Sequence, residues 1–163
     1  MTEPQQRSDI SIRQGLVPQD VERSAEIWVS ALRERDGSVD APVMAQRVRD
    51  AFAEQGVVRF AVATAPRDGF ALVETIPDEP TQAYLHYLAV DPAGTGGGVG
   101  SALLADAIQH AQAAGYASLK LEVKTTNDRA VGLYVKAGFV AAGEPTPHAT
   151  AGYPMQSYLL SLA

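Results

Sequence analysis

Apolar positions recur along this chain with two spacings, and the switches between them predict its elements. Ile10 and Ile12 alternate with Ser11 and Arg13, which predicts a short strand. Pro18 then opens a helix whose Val21, Ala25, Trp28 and Leu32 share one face. A charged loop runs from Arg33 to Val39. Asp40 caps a second helix carrying Met44, Val48, Ala51 and Phe52, which Gly56 ends. Val57 to Thr64 reads as a strand and Pro66-Arg67-Asp68-Gly69 as a hairpin turn. Phe70 to Ile76 is a strand stopped by Pro77, and Thr81 to Val90 is another, rich in β-branched and aromatic residues toward its end. Helical spacing returns with Leu103, Leu104, Ala107, Ile108 and Ala111, and Gly115 is the stop. Strand Ser118 to Lys124, helix Asn127 to Ala137, strand Phe139 to Ala142 and strand Met155 to Leu162 complete the order.

Between the strand ending at Val90 and the helix after it stands Asp91-Pro92-Ala93-Gly94-Thr95-Gly96-Gly97-Gly98-Val99-Gly100-Ser101. A helix start presents unpaired N–H groups and about half a positive charge, and glycines remove the side chains that would keep an anion away. This turn therefore suits a phosphate, although a tight turn with close packing uses the same residues. Two nucleotide motifs fail. No frame across Gly94 to Gly100 places glycines at the first, third and sixth positions, and no Gly-Lys-Ser/Thr ends the run.

The run from Val90 to Gly100 resembles the acetyl-CoA pyrophosphate loop of the GNAT superfamily of N-acetyltransferases. A second segment resembles that family's other signature: the strand Leu121-Glu122-Val123-Lys124, then Asn127, Ala130, Leu133-Tyr134 and Gly138-Phe139. With the elements on either side, the likeness covers nearly the whole chain. It implies an α/β (α+β) architecture, a mixed and mostly antiparallel central sheet of six to seven strands flanked by about four helices. Thr95 departs from the family pattern, which has Arg or Gln there. A side-chain contact is thereby lost, whereas backbone donors do not depend on it.

Composition narrows the reading further. With 163 residues, 46% of them hydrophobic, residues 1–163 can bury one core, so a single catalytic domain is expected, with residues 1–8 as a disordered tail. A net charge of −6 argues against a nucleic-acid partner, which would require a basic face. The polar start lacks the apolar core of a signal peptide, and no stretch has the roughly 18 to 20 apolar residues of a membrane span. A cytoplasmic protein without a membrane partner is expected, as monomer or homodimer. Cysteine is absent, which removes a thiol nucleophile, disulfides and thiolate metal sites. The three histidines, His86, His110 and His148, lack metal-ligand spacing, so no metal is expected.

The chemistry must then use oxygen and nitrogen groups. Leu119, Leu121 and Val123 alternate with Lys120, Glu122 and Lys124, so Glu122 points away from the core-facing set. That placement fits a solvated face or a general base. The Glu122-to-Tyr134 spacing resembles the base and acid pair of the ribosomal-protein N-terminal acetyltransferase branch, which implies Glu122 as base and Tyr134 as the acid that protonates departing coenzyme A thiolate. His86 is the alternative base, its ordinary pKa near 6.5 suiting the task. The resemblance further implies acetyl-CoA as co-substrate. It would be held by Leu88, Ala89 and Val90, by Thr95, Gly96, Gly97, Gly98, Val99, Gly100 and Ser101, and by Asn127, Ala130, Leu133, Tyr134 and Lys136. Asn127 also reads as a helix cap. The implied reaction is direct attack by a primary amine on the thioester in a ternary complex, without an acyl-enzyme. The acceptor pocket would lie between the first two helices, at Arg33 to Ser38, and a late loop from Gly143 to Pro154 with Thr146, His148 and Tyr153. A small-molecule amine and a peptide or protein amine both fit. A non-catalytic acyl-CoA sensor is the alternative from another class, and a sensor needs neither an acid nor a base at the thioester.

Overall fold

The computed structural model describes residues 10–54, 56–93, 98–148 and 152–162. Strands β1 (Ser11–Gln14), β2 (Val57–Ala65), β3 (Gly69–Ile76), β4 (Glu79–Val90), β5 (Ser118–Lys124), β6 (Val140–Pro147) and β7 (Pro154–Ser161) form one sheet in the order β1-β2-β3-β4-β5-β7-β6. All neighbours are antiparallel except β4 and β5. Helices α1 (Val21–Asp36) and α2 (Ala41–Ala53) supply one buried cluster with Phe60, Phe70, Leu72 and Tyr87. Helix α3 (Val99–Ala113) and Tyr134 of α4 (Asp128–Lys136) join a second cluster with Val73, Leu85, Leu121 and Val123. The sheet is thus covered on both faces.

Alternation along β3 assigns Ala71 and Val73 to one cluster and Phe70 and Leu72 to the other, as a period of two requires. β4 breaks that rule once. Leu72 pairs with Tyr87 and Val73 with Leu85, so His86 is an extra residue. Ala83 and Leu85 consequently face the α3 cluster, whereas Tyr87 and Ala89 face the α1–α2 cluster. A bulge of this kind re-aims every side chain beyond it.

Several predicted boundaries shift. Pro18 does not open the first helix, because Asp20 locks the turn before it: Leu16 N donates to Asp20 Oδ2 at 2.8 Å, and Arg13 grips the same carboxylate. The helix starts at Val21. Residues Arg33 to Asp36, expected in a loop, continue α1, since charged side chains do not break a helix and basic ones favour its last turn. Gly37, at φ 83°, ends it through an N–H bond to Arg33 O. Asp40 caps α2 as expected, accepting from Val43 N, but α2 stops at Ala53, before Gly56. β4 begins at Glu79, two residues ahead of Thr81. The first part of the loop expected from Gly143 to Pro154 is strand. β6 runs on to Pro147 past an irregularity after Ala142, and pairs Thr146 with Met155 and Pro147 with Pro154. An edge strand tolerates Pro145 and Pro147 because the missing N–H groups need no partner on the open side. The predicted 1–8 tail lies outside the described residues.

Candidate active site

β4 and β5 pair only from Gln82–Ser118 to Tyr84–Lys120. Past that register β4 stays bonded to β3 as far as Val90, and β5 to β7 as far as Lys124. The two strands therefore part inside the sheet, and a cleft of about 820 Å³ opens between Tyr84–Leu88 and Leu121–Lys124. Leu121 and Tyr134 reach it from the α3–α4 face, and Trp28 and Tyr87 from the α1–α2 face. Two molecules can meet in it from opposite sides of the sheet.

Tyr134 lies in the last turn of α4, whose start is fixed by Asn127 accepting from Ala130 N at 3.3 Å. Phe139 stands edge-on to its ring at 5.8 Å, and burial pushes the phenol up to about 12. The hydroxyl is accordingly a proton donor at neutral pH. Glu122 lines the same cleft with 39% of its side chain exposed. Ser157, its cross-strand partner, offers a hydroxyl 3.4 Å from Oε2, and Lys120 Nζ is 3.9 Å away. His86 also faces the cleft; its Nδ1 is 2.8 Å from Glu74 Oε1, and its ring stacks on Tyr87 at 4.2 Å. A carboxylate behind one imidazole nitrogen orients the ring and leaves Nε2 as the second site for a proton.

The cleft gathers His86, Leu88, Glu122, Asn127, Ala130 and Tyr134 from the residues the sequence singled out, with Arg35, Asp36, Ser38, Thr146, His148 and Tyr153 of the expected acceptor pocket. It does not gather Ala89, Val90, Leu133 or Lys136, nor Gly98, Val99, Gly100 and Ser101 at the start of α3. Lys136 is exposed at the far end of α4, and Val99 is buried in the core, so only its backbone can meet a ligand. Thr95, Gly96 and Gly97 lie outside the described residues. α3 begins differently from α2 and α4. Its cap is Gly98, at φ 72°, which has no side chain to satisfy the first N–H groups. Asp91 Oδ1 accepts from Ala93 N, and its Oδ2 binds Arg23, which also holds Asp68. The chain is thereby anchored where it leaves β4 for the glycine run.

Sequence reasoning missed most of the far wall. Burial, followed by the charges of Glu122 and Glu74, pushes the Tyr84 phenol far up. Burial likewise lifts Tyr87 to about 12. Trp28 meets Tyr87 edge-on at 5.0 Å. Lys124 lies 4.5 Å over the Tyr153 ring and 4.0 Å from Asp36, whose carboxyl is held below its ordinary range chiefly by the Arg35 guanidinium. The run Tyr84-Leu85-His86-Tyr87 gave no signal, because Leu85 and Tyr87 read as one face of an ordinary alternating strand and only the pairing with β3 separates them. Among the described residues no group of three or more acidic, histidine or cysteine side chains converges to hold a metal ion, and no helix is long and apolar enough to cross a membrane.

Residues 24–139 match the sequence model of the acetyltransferase (GNAT) family. An uncharacterized protein of Mycobacterium leprae is 38% identical over 76 residues, 46% of this chain, and the match spans only 20% of that relative's length. Among solved structures, the ribosomal-protein-S18-alanine N-acetyltransferase of Escherichia coli superposes with a TM-score of 0.70 at 24% identity over 94% of each chain. A Salmonella typhimurium protein whose structure includes its cofactor acetyl-CoA superposes with a TM-score of 0.69 at 18% identity, again over 94% of each chain. At such identities these likenesses carry the fold.

Proposed function

The chain belongs to the GNAT family of acetyltransferases, and on that premise we propose that it passes the acetyl group of acetyl-CoA to a primary amine by direct attack in a ternary complex. The reading is supported above all by one observation. Glu122 and Tyr134, a carboxylate and a protonated phenol, line a single cleft that runs through the sheet. Acetyl-CoA enters from the α3–α4 face and the amine from the α1–α2 face.

The residues present fit acetyl-CoA in two respects: α3 starts on uncapped N–H groups suited to pyrophosphate, and the parted strands leave room for an extended arm beside Asn127 and Ala130. Of Leu88, Ala89 and Val90, expected to hold the acetyl carbonyl, only Leu88 lines the cleft, so its backbone, rather than that of Ala89 and Val90, is where the oxygen that gains charge during attack would be met, at a few kcal/mol per donor. Glu122 takes the amine's proton, directly or through water, and Ser157 steadies its carboxylate. His86, set by Glu74, is the second candidate for that role. Tyr134 gives its proton to the departing thiolate.

Acetyl-CoA should raise the melting temperature, since a ligand at a hundredfold over its dissociation constant adds about 2.7 kcal/mol. Gly98→Val should abolish the shift, and so should Gly100→Val. The first also strains a left-handed backbone, whereas Gly100 has no such backbone and a Cβ there meets Val90 at an ordinary 3.8 Å. An undiminished shift in both variants contradicts the proposed site.

A further inference from the structure

The α1–α2 side of the cleft is a continuous wall of rings. Trp28 meets Tyr87 at 5.0 Å, Tyr87 stacks on His86 at 4.2 Å, and His86 lies 5.5 Å from Tyr84, which feels the Glu122 charge. The wall thus leads from Trp28 to the carboxylate assigned as base. Trp28 and Met44 are only half-buried, so apolar surface is left open to a ligand. The ionic groups nearby are engaged with one another. Arg35 holds Asp36 through two bonds of 2.9 Å, Lys124 approaches the same carboxylate, Asp40 caps α2, and Glu74 holds His86. Ring face and edge are then the apolar surface that a ligand meets on this side, with Glu122 at its end.

Charges of both signs line the cleft, Arg35, Arg47 and Lys124 beside Asp36, Asp40 and Glu122, so the lining does not call for a second charge on the acceptor. The mouth is also crossed. Lys124 reaches from β5 both to Asp36 at the end of α1 and to Tyr153 on the hairpin between β6 and β7. The cleft, at about 820 Å³ shared with the acetyl-CoA arm, has the size of a small-molecule site.

Resting on the acetyl-transfer reading above, we propose that the acceptor is a small-molecule primary amine bearing an aromatic ring, its ring packed against the half-buried Trp28, which Tyr87 backs from within the core, and its nitrogen directed to Glu122. Offset and edge-on ring contacts favour such a group over an alkyl chain of equal size. Trp28 is the specificity-determining residue.

The test compares kcat/KM for phenylethylamine, hexylamine, diaminobutane and a short peptide with a free phenylalanine N-terminus. Phenylethylamine should exceed each of the others by about 10-fold or more. Trp28→Ala should narrow that preference, acting on KM more than on kcat, and Trp28→Phe should restore most of it. The acetyl-CoA melting shift, measured in each variant, reports whether the fold survives, and the wild-type ranking stands even where a variant fails to fold. Equal or better turnover of hexylamine or diaminobutane overturns the aromatic preference, and a preferred peptide overturns the small-molecule assignment. If no amine is turned over while the melting shift persists, the acceptor class is wrong. If the shift is also missing, the acetyl-transfer reading falls with it.

Discussion

The two walls of the cleft are built from different materials. The β5–α4 wall carries Glu122, Asn127 and Tyr134, which lie close together in sequence and are held by a cross-strand hydroxyl, a helix cap and an edge-on phenylalanine. The opposite wall draws Trp28 from α1, Met44 from α2 and Tyr84 to Tyr87 from a bulged strand. On the proposed function the first wall would move protons and the second would select the shape of the acceptor. A fixed chemistry with a replaceable selector follows from that division, because repacking the ring wall need not disturb the acid and the base.

Substitutions on the two walls should therefore fail in different ways. Tyr134→Phe keeps the ring and removes only the proton, so kcat should drop by roughly 10²-fold or more while the acetyl-CoA melting shift persists. Loss of both would show a disrupted site, and full activity would make Tyr134 a packing residue. Glu122→Gln should cost about 10²-fold near neutral pH and recover partly at high pH, where more of the amine is already deprotonated. Wild-type rates in Glu122→Gln, combined with a loss in His86→Gln, would move the base to the ring wall and break the division. Lys124→Ala should change the acceptor KM by only a few-fold and stability by under about 1 kcal/mol, as partly exposed ion pairs contribute little. Steady-state kinetics and thermal melts on the same preparation check both values.

A smaller effect sharpens the contrast through pH. Burial holds Tyr134 and Tyr87 protonated up to about 12, against an ordinary value of 10.0. Above pH of about 10 the unfolded chain loses protons that the folded chain keeps, so stability should fall as pH rises from about 10 to about 12. Tyr134→Phe should flatten part of that fall. An unchanged alkaline melting profile in the variant would mean that its phenol is not buried as described.

The chemical wall was legible in sequence because its parts are local. Strand, cap, Tyr134 and Phe139 follow one another between Leu121 and Phe139, and a helix that opens on glycine announces itself through composition. The ring wall was not. Trp28 reads as one more apolar position on a helix face, and nothing local sets it beside Tyr87, some sixty residues further along the chain. The His86 bulge turns Tyr87 to the face opposite Leu85, a result of long-range register that periodicity alone does not fix. Helix boundaries erred for a related reason. The turn before α1 is set by Asp20 gripping Leu16 and Arg13, a side-chain choice that Pro18 masked.

Initial rates with acetyl-CoA and amine varied together, alongside mass spectrometry of enzyme and product, test direct transfer most simply. Acetyl transfer through a ternary complex predicts intersecting double-reciprocal lines, one acetylated amine per free thiol released, and no acetyl group on the protein. Parallel lines with an acetylated enzyme, or thiol release without acetylated amine, would contradict it.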